Sequence, residues 1–149
     1  MVWAAFSFNG QVGLALLNGR QNFPKYIETL ENHLMPFAED IGGRNWKYQQ
    51  DAAAIHASNA TKNYLNSKNV TVLEWPPMSP DLNPIENVWG IMSRKVYENG
   101  GQFYSVNALK TAIESIWYNL EPEILQTSIN SVEKRVYNVI LRNGKTLNY

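Results

Sequence analysis

The chain opens on a pattern of apolar residues and turn residues that predicts a β-hairpin. Residues 2–8 are aromatic and apolar, Asn9-Gly10 is a strong two-residue turn signal, and residues 12–17 form a second apolar run. The pattern then changes to helical spacing. Pro24 suits the first turn of a helix, and the apolar positions that follow predict one amphipathic helix over residues 24–38.

The middle of the chain alternates between strand-like and helix-like patterns. Residues 46–50 are typical of a short strand, residues 52–66 of a helix and residues 70–75 of a β-branched strand. A proline-rich stretch excludes regular structure until Pro84, which is well placed to start the next helix. The predicted apolar face of that helix consists of Ile85, Val88, Trp89, Met92 and Val96.

The last third of the chain is predicted to be helical, with two apolar stripes at helical spacing. The first stripe consists of Leu109, Ala112, Ile113, Ile116, Trp117 and Leu120. The second consists of Ile124, Leu125, Ile129, Val132, Val136, Val139 and Ile140. Strands and helices in this order predict an α/β layer architecture in one domain over 1–149. Its α/β core would cover residues 1–98, followed by C-terminal helices over residues 99–149.

Composition excludes several functions and leaves the rest open. The 149 residues, 44% of them hydrophobic and 17% charged, suffice for one domain with a core. The absence of cysteine excludes a disulfide framework and a thiolate metal site. No apolar run has the length of a membrane span and no signal-peptide pattern opens the chain, so no membrane partner is expected. Net charge is zero, whereas nucleic-acid binders are usually basic.

Two carboxylates occupy positions that suit metal-dependent phosphodiester chemistry. Asp51 directly follows a predicted strand, where α/β sheets commonly place functional groups, and Glu86 lies in the first turn of the helix after the prolines. Residues 52–85, thirty-four in all, separate them. Together such carboxylates can hold Mg²⁺, which prefers oxygen ligands. Two such ions about 4 Å apart can activate a nucleophile and stabilise a leaving oxygen.

Helix capping explains the same two positions equally well. Asn83, Pro84 and Glu86 have the spacing of a capping box, in which the Glu86 side chain would bond back to the Asn83 backbone. Asp51 could cap the helix that follows it. His56 either orients a phosphate or carboxylate near a site or is a surface or capping histidine. The spacing alone does not decide between these interpretations.

Other polar and aromatic residues are open to the same two interpretations. Asp81 is typical of a turn former, and Trp75 either stacks on an unpaired base or packs over the end of its strand. Basic residues that could contact a DNA backbone, or simply form a solvated face, are Lys62, Lys68, Arg94, Lys95, Lys134 and Arg135.

One long stretch resembles a motif of a known family. LEWPPMSPDLNPIENVWG, from Leu73 to Gly90, is similar to the third-carboxylate motif of the mariner superfamily of DDE transposases. YQQD at 48–51, with Ile55-His56 after it, resembles the second-aspartate motif, and MVWAAFS at 1–7 resembles the strand after the first-aspartate strand. The thirty-four-residue spacing resembles the worm-and-fish branch rather than mariner proper. The similarity extends to VEKRV at 132–136.

The resemblance implies a ribonuclease H-like, or retroviral integrase-like, fold and cut-and-paste DNA transposition in the nucleus. Asp51 and Glu86 would be the catalytic metal ligands for Mg²⁺, with Mn²⁺ as a possible substitute, and His56 would lie beside the site. The implied partners are DNA, at transposon ends and at the target, and a second copy in a homodimer of the full-length protein.

The sequence departs from the family pattern in three respects. The family's first aspartate lies on a strand upstream of residue 1, so the fold is expected to be incomplete at its N-terminus. The family's helix-turn-helix region is absent, and position 52 is Ala where the family usually has Asn. We therefore expect a transposase-derived fragment that is inactive alone. The alternative is a degenerate or domesticated transposon product that acts as a non-catalytic interaction module; a glycosidase with paired carboxylates is disfavoured because nothing resembles a sugar-binding cleft.

The resemblance also predicts geometry. The carboxylates of Asp51 and Glu86 should approach to about 4–8 Å, close enough to share a divalent ion. The hairpin and the strands at 46–50 and 70–75 should belong to one sheet, with helix 24–38 on one face. Where the upstream strand would lie, the first strand should either pair directly with the strand before Asp51 or leave a gap with unpaired edges.

Overall fold

The computed structural model describes residues 1–144, apart from the side chain of Asn99, and begins with the predicted hairpin. Strand β1 (Val2–Ser7) pairs antiparallel with β2 (Gly10–Leu16). Ser7 lies opposite Gly10, so the loop is Phe8-Asn9, one residue earlier than the turn expected from the sequence. Gly10 has a φ of 143°, which glycine adopts without a steric penalty. The hairpin prediction is therefore confirmed, with its turn shifted.

The prediction of a single helix over residues 24–38 is wrong, because the chain forms two helices there. Helix α1 (Phe23–His33) is capped by the Asn22 side chain, and α2 (Met35–Gly42) follows directly. Pro36 lies in the first turn of α2. A continuous helix would lose a backbone hydrogen bond at Pro36 and would force its ring against the preceding turn.

The next helix starts later than predicted. Strand β3 (Lys47–Tyr48) and strand β4 (Thr71–Val72) form a short parallel pair, shorter than the strands predicted at 46–50 and 70–75. Between them, α3 (Asn59–Ser67) begins seven residues after the predicted position 52. The Ser58 side chain caps α3 by accepting from the backbone N–H of Thr61 at 3.2 Å.

The second half of the described chain is helical, as predicted. A 3₁₀ turn (Pro80–Leu82) leads into α4 (Pro84–Val96), and after a second 3₁₀ turn come α5 (Val106–Tyr118) and α6 (Pro122–Leu141). The end of the predicted domain, residues 145–149, lies outside the described residues. No helix within residues 1–144 combines the length and apolarity needed to cross a membrane.

The predicted apolar stripe of α6 is partly wrong. Val136 and Ile140 are exposed, whereas Arg135, which the sequence placed among possible solvated cations, is buried. The physical reason is the surface that α6 meets: Arg135 faces the 3₁₀ turn before α4, where a backbone carbonyl accepts from its guanidinium. A polar partner of this kind suits a guanidinium better than an aliphatic side chain.

The hairpin separates two hydrophobic clusters, because side chains of β1 point alternately to its two faces. Trp3 and Ala5 pack with the first cluster, and Val2, Ala4 and Phe6 with the second. The first cluster joins Ala5 to α1–α3, β3 and the start of β4 through Tyr26, Leu30, Leu34, Ala38, Tyr48, Leu65 and Val70. The second joins β2 to α4, α5 and α6 through Leu14, Val88, Met92, Trp117, Leu120 and Leu125.

The four strands do not form one hydrogen-bonded sheet, so that prediction is wrong. Within the described chain, β1 pairs only with β2 and β3 only with β4. A cavity of about 480 Å³ is lined by the whole of β1 and by β3. The alternative expectation, a gap with unpaired strand edges, is confirmed. We call this space the central cavity.

Gly13 fixes how closely α1 approaches the hairpin. A Cβ atom at Gly13 would lie 2.1 Å from the backbone oxygen of His33. We expect Gly13→Ala to lower the free energy of unfolding by about 1–3 kcal/mol, because backbone rather than a flexible side chain must move. Urea unfolding followed by tryptophan fluorescence measures this change.

Gly90→Ala is the matched control. The nearest atom to a Cβ at Gly90 is Nη1 of Arg94 at 3.8 Å, an ordinary van der Waals contact. This helix-interior substitution is expected to leave stability unchanged or to raise it by about 0.4–1 kcal/mol. Equal stability of the two variants would contradict the proposed close approach.

Candidate active site

Asp51 lies in the loop between β3 and α3, and two local hydrogen bonds hold its carboxylate. Its Oδ1 atom accepts from the backbone N–H of Ala53 at 3.1 Å and is bonded to Nδ1 of His56. The side chain is 57% exposed. Asp51 does not cap the following helix, because Ser58 does. Both hydrogen bonds form without the side chain of residue 52, so Ala52 leaves them intact.

Glu86 is the third residue of α4, and it does not form the capping box that its spacing allowed. The backbone N–H of Asn83 donates to the carbonyl of Pro80 at 3.0 Å, so it is not the partner of the Glu86 side chain. The buried Asn83 side chain caps α4 by accepting from the N–H of Ile85 at 3.3 Å. Glu86 is exposed, and its carboxylate has no hydrogen bond or ion pair within the described chain.

Asp51, His56 and Glu86 all line the central cavity, together with Trp75. The structure thus brings the two predicted carboxylates to one space between the strand pairs. Their predicted approach to a shared ion stays a prediction. Trp75 is half-buried, and its indole N–H is buried with no acceptor in the described part of the chain.

The donor chemistry of the cavity fits a hard divalent cation. Carboxylate oxygens are the ligands that Mg²⁺ takes in proteins, and Mg²⁺ usually keeps several waters. Asp51 and Glu86 are both accessible, and neither forms an ion pair with a lysine or arginine within residues 1–144. Within residues 1–144 no cluster of three or more metal-binding side chains occurs.

His56 is not a surface histidine. Its side chain is 19% exposed, and its ring stacks on the ring of Tyr26 with centroids 4.1 Å apart and planes inclined by 32°. The Tyr26 hydroxyl donates to Oε1 of Gln50 at 2.7 Å, and the Gln50 amide donates to the carbonyl of His56 at 3.2 Å. The role of His56 beside Asp51 stays a prediction.

Sequence analysis missed Tyr26, Tyr48 and Gln50 as supports of the site. Tyr26 appeared only as one apolar position of a helix, although a buried tyrosine usually needs a hydrogen-bond partner for its hydroxyl. The need of a buried tyrosine for a partner, and the position of Gln50 directly before Asp51, could have indicated these supports from the sequence. The identity of the partners is a matter of long-range contacts, which no local pattern reveals.

Burial dominates the electrostatics of this support. Burial raises the pKa of Tyr48 to about 12, and burial together with the neighbouring Tyr48 also raises the pKa of Tyr26. The charge of Asp51 adds to both shifts in the same direction. Both phenols are therefore neutral hydrogen-bonding groups at physiological pH.

Arg135 ties the last helix to the loop before Glu86. Its Nη1 donates to the carbonyl of Asp81 at 3.1 Å, and its Nη2 is bonded to the Ser131 hydroxyl. Arg135 is 5% exposed, so it is not available to contact a DNA backbone. The other basic residues singled out from the sequence are exposed: Lys62, Lys68, Arg94, Lys95 and Lys134.

Helices on both sides of the hairpin, and acidic side chains at the gap between strand pairs, define the protein as a ribonuclease H-like domain. Residues 10–110 match the family described as DDE superfamily endonuclease. Because this match covers more than half of the chain, the protein belongs to that family. The fold and the family resemblance predicted from the sequence are confirmed.

Relatives and solved structures agree with this assignment. The chain is 35% identical over all 149 residues to the Tc3 transposable element transposase of Caenorhabditis elegans, and covers 45% of it. The Mos1 transposase catalytic domain, solved with Raltegravir and Mg, superposes with a TM-score of 0.85 at 20% identity over 99% of this chain and 76% of that one. The Mos1 mariner paired end complex with Mg superposes with a TM-score of 0.89 at 19% identity, over 99% of this chain and 44% of that one. The chain spans about half the length of the curated relatives it matches.

The buried tyrosine pair predicts alkaline destabilisation. Below about pH 10 tyrosine is neutral in the folded and unfolded states, so stability is unaffected there. Above that pH the unfolded chain loses the phenolic protons, whereas the folded chain keeps the Tyr48 proton up to about pH 12. Each such tyrosine should lower the free energy of unfolding by up to about 1.4 kcal/mol per pH unit in this window.

Urea unfolding between pH 8 and pH 12 tests this expectation. Tyr48→Phe should reduce the slope of stability against pH. Tyr104→Phe should leave the slope unchanged, because the Tyr104 side chain is fully exposed. Identical slopes for the parent chain and Tyr48→Phe would refute the assignment of the alkaline effect to this pair.

The buried Arg135 predicts a second, local effect. Arg135→Ala should lower the free energy of unfolding by about 1–3 kcal/mol, because the half-buried Asp81 carbonyl loses a charged donor. It should also shift the backbone amide resonances of residues 81–83, 85 and 86. Arg94→Ala, on an exposed position of α4, should change stability by less than about 0.5 kcal/mol and leave those resonances in place. An Arg135→Ala variant that matches Arg94→Ala in both measurements would contradict the role of Arg135.

Proposed function

We propose that this chain is the later part of the catalytic domain of a cut-and-paste DNA transposase, with Asp51 and Glu86 as ligands of Mg²⁺. The observation that carries the proposal is the central cavity, which both carboxylates line in a chain of the DDE superfamily endonuclease family. Mn²⁺ would substitute for Mg²⁺, as both are oxygen-preferring divalent ions. The solved Mos1 structures with Mg support this choice of metal.

The substrate is DNA, at transposon ends and at a target site. Support comes from the Tc3 transposase as a relative and from the Mos1 paired end complex as a structural neighbour. The site of action would be the nucleus, and the full-length protein would act as a homodimer. The bulk charge adds no support, because the 149 residues carry zero net charge.

The two carboxylates are positioned by different interactions. Asp51 is oriented by side-chain and loop hydrogen bonds, both made by its Oδ1 atom, and Oδ2 has no hydrogen bond within the described residues. Glu86 is held by the backbone of α4, and its carboxylate has no hydrogen bond or ion pair within the described residues. Bound Mg²⁺ supplies charge neutralisation at the scissile phosphate and activation of water and then of a DNA 3′-hydroxyl. The protein's contribution is to fix the ligand positions in advance of substrate binding.

A further strand with a third carboxylate would complete this site. The cavity lies between β1 and β3, whose facing edges are unpaired within the described residues. Three lining residues also hold buried polar atoms without partners there: Gln21 Oε1, Gln49 Nε2 and Trp75 Nε1. A strand upstream of residue 1 would supply backbone hydrogen bonds to both edges. Its aspartate would add the charge that two carboxylates lack against two divalent ions.

A second candidate function is a non-catalytic interaction module from a decayed or domesticated transposon. The observation in its favour is that residues 1–144 contain no cluster of three metal-binding side chains. This candidate retains the fold and the possible DNA or protein contacts, and it requires no cleavage.

A cleavage assay with Mg²⁺ or Mn²⁺ on transposon-end DNA separates the two candidates. We expect no detectable cleavage by this chain alone, because the loss of one ligand misplaces the nucleophile and small misplacements are costly in rate. The chain extended upstream by an aspartate-bearing strand should cleave. Glu86→Gln in the extended chain should abolish cleavage.

Glu123→Gln is the matched control. Like Glu86, Glu123 is exposed and lies in the first turn of a helix that begins with a proline. It should retain the activity of the extended chain. Cleavage by the short chain that is lost in Glu86→Gln would overturn the expected inactivity. An inactive extended chain would favour the interaction module, and full activity of extended Glu86→Gln would reject Glu86 as a ligand.

A further inference from the structure

A tyrosine of α1 supports the loop that carries Asp51. Tyr26 belongs to α1 and is 3% exposed within the first hydrophobic cluster, where Leu30 and Leu34 are also buried. Its ring stacks on His56 with centroids 4.1 Å apart. A side chain so enclosed has little rotational freedom, so the His56 ring meets a fixed surface.

The hydroxyl of Tyr26 supports the same loop through a second route. It carries a single hydrogen, which it donates to Oε1 of Gln50 at 2.7 Å. Tyr48 must therefore be the donor in its 3.1 Å hydrogen bond with Tyr26. The amide of Gln50 in turn donates to the backbone carbonyl of His56 at 3.2 Å. Tyr26 thus constrains His56 at its ring directly and at its backbone through Gln50.

His56 passes this constraint to Asp51 through Nδ1. An ionised carboxylate only accepts hydrogen bonds, so the neutral imidazole must carry its proton on Nδ1 to bond Oδ1 of Asp51. The Asp51 side chain is 57% exposed and would otherwise sample several rotamers. Fixing Oδ1 with His56 and Ala53 leaves one orientation for the other carboxylate oxygen.

We propose that Tyr26 is a positioning residue for the active site: by stacking on His56 and bonding Gln50, it holds the Asp51 carboxylate oriented for a metal ion before that ion binds. The part of this inference that concerns metal binding rests on the proposed function. The part that concerns the fixed tautomer of His56 does not, because the tautomer is a property of the chain without a metal ion. Residues that orient metal ligands in this way typically affect metal affinity by about 10- to 100-fold.

The tautomer of His56 is the first measurement. The chain has two histidines, so the ring nitrogen resonances of His56 can be assigned against His33 as an internal reference. In its neutral form, the His56 imidazole should be predominantly protonated on Nδ1. Tyr26→Leu removes the stacking ring and the hydroxyl and should abolish this preference. Tyr26→Phe keeps the ring but removes the hydroxyl bond to Gln50, so it should keep most of this preference.

The affinity for Mn²⁺ alone is the second measurement, made by paramagnetic broadening of the loop resonances. Tyr26→Leu should weaken binding by about 10-fold, and Tyr26→Phe should restore most of the affinity. Absence of Mn²⁺ binding in the parent chain would count against the proposed function. The tautomer measurement would still decide whether Tyr26 positions His56.

Tyr64→Leu is the matched control. Tyr64 packs against the same cluster from α3, and its buried hydroxyl has no partner within the described residues. It should leave the His56 tautomer and the Mn²⁺ affinity unchanged, which separates positioning from a general loss of packing. Unchanged His33 resonances report that each variant is folded, because His33 contacts Trp3 in the same region.

A folded Tyr26→Leu variant with the parent tautomer and parent Mn²⁺ affinity would overturn the proposal. If Tyr26→Leu does not fold, Gln50→Ala decides the question. It cuts the route from the Tyr26 hydroxyl to the His56 backbone at a half-buried position. A smaller loss of the Nδ1–H population and of Mn²⁺ affinity is expected, and no change in either would overturn the proposal.

Discussion

Packing of β1 on both faces is the constraint on which the rest of the structure depends. Alternate side chains of this strand enter two different hydrophobic clusters, so the hairpin joins α1–α3 to α4–α6. One backbone edge of β1 is paired with β2, and the other is unpaired within the described residues and lines the central cavity. The apolar packing that stabilises the domain therefore also forms the wall of the space that Asp51 and Glu86 share.

The two carboxylates reach this space from separate clusters, and they are held by different interactions. Asp51 depends on side chains around the first cluster, through His56 and Tyr26. Glu86 depends on backbone geometry around the second, where Asn83 caps α4 and Arg135 holds the preceding turn. Motion of one cluster relative to the other would change the separation of the carboxylates. The hairpin between the clusters is what opposes such motion.

Local patterns predicted the elements that local interactions determine. The hairpin, α4, α5 and α6 follow from apolar spacing, and the motif from Leu73 to Gly90 identified the fold. The role of Glu86 in that motif stays a prediction. The break at Pro36 and the late start of α3 after Ser58 could have been predicted from the sequence, since proline and a capping serine outweigh helical spacing. The contacts of Tyr26 with His56 and of Arg135 with Asp81 were not, because they join segments far apart in the chain.

The buried polar atoms without hydrogen-bond partners are concentrated around the central cavity. Five buried side-chain atoms lack a partner within the described residues, and three of them belong to residues that line the central cavity. Each such atom costs roughly 1–3 kcal/mol, so their concentration in one place requires an explanation. A strand inserted between β1 and β3 would bring backbone donors and acceptors to these atoms, and a hydrated ion would bring water. Groups that bind in the central cavity would therefore form hydrogen bonds that the described residues do not supply.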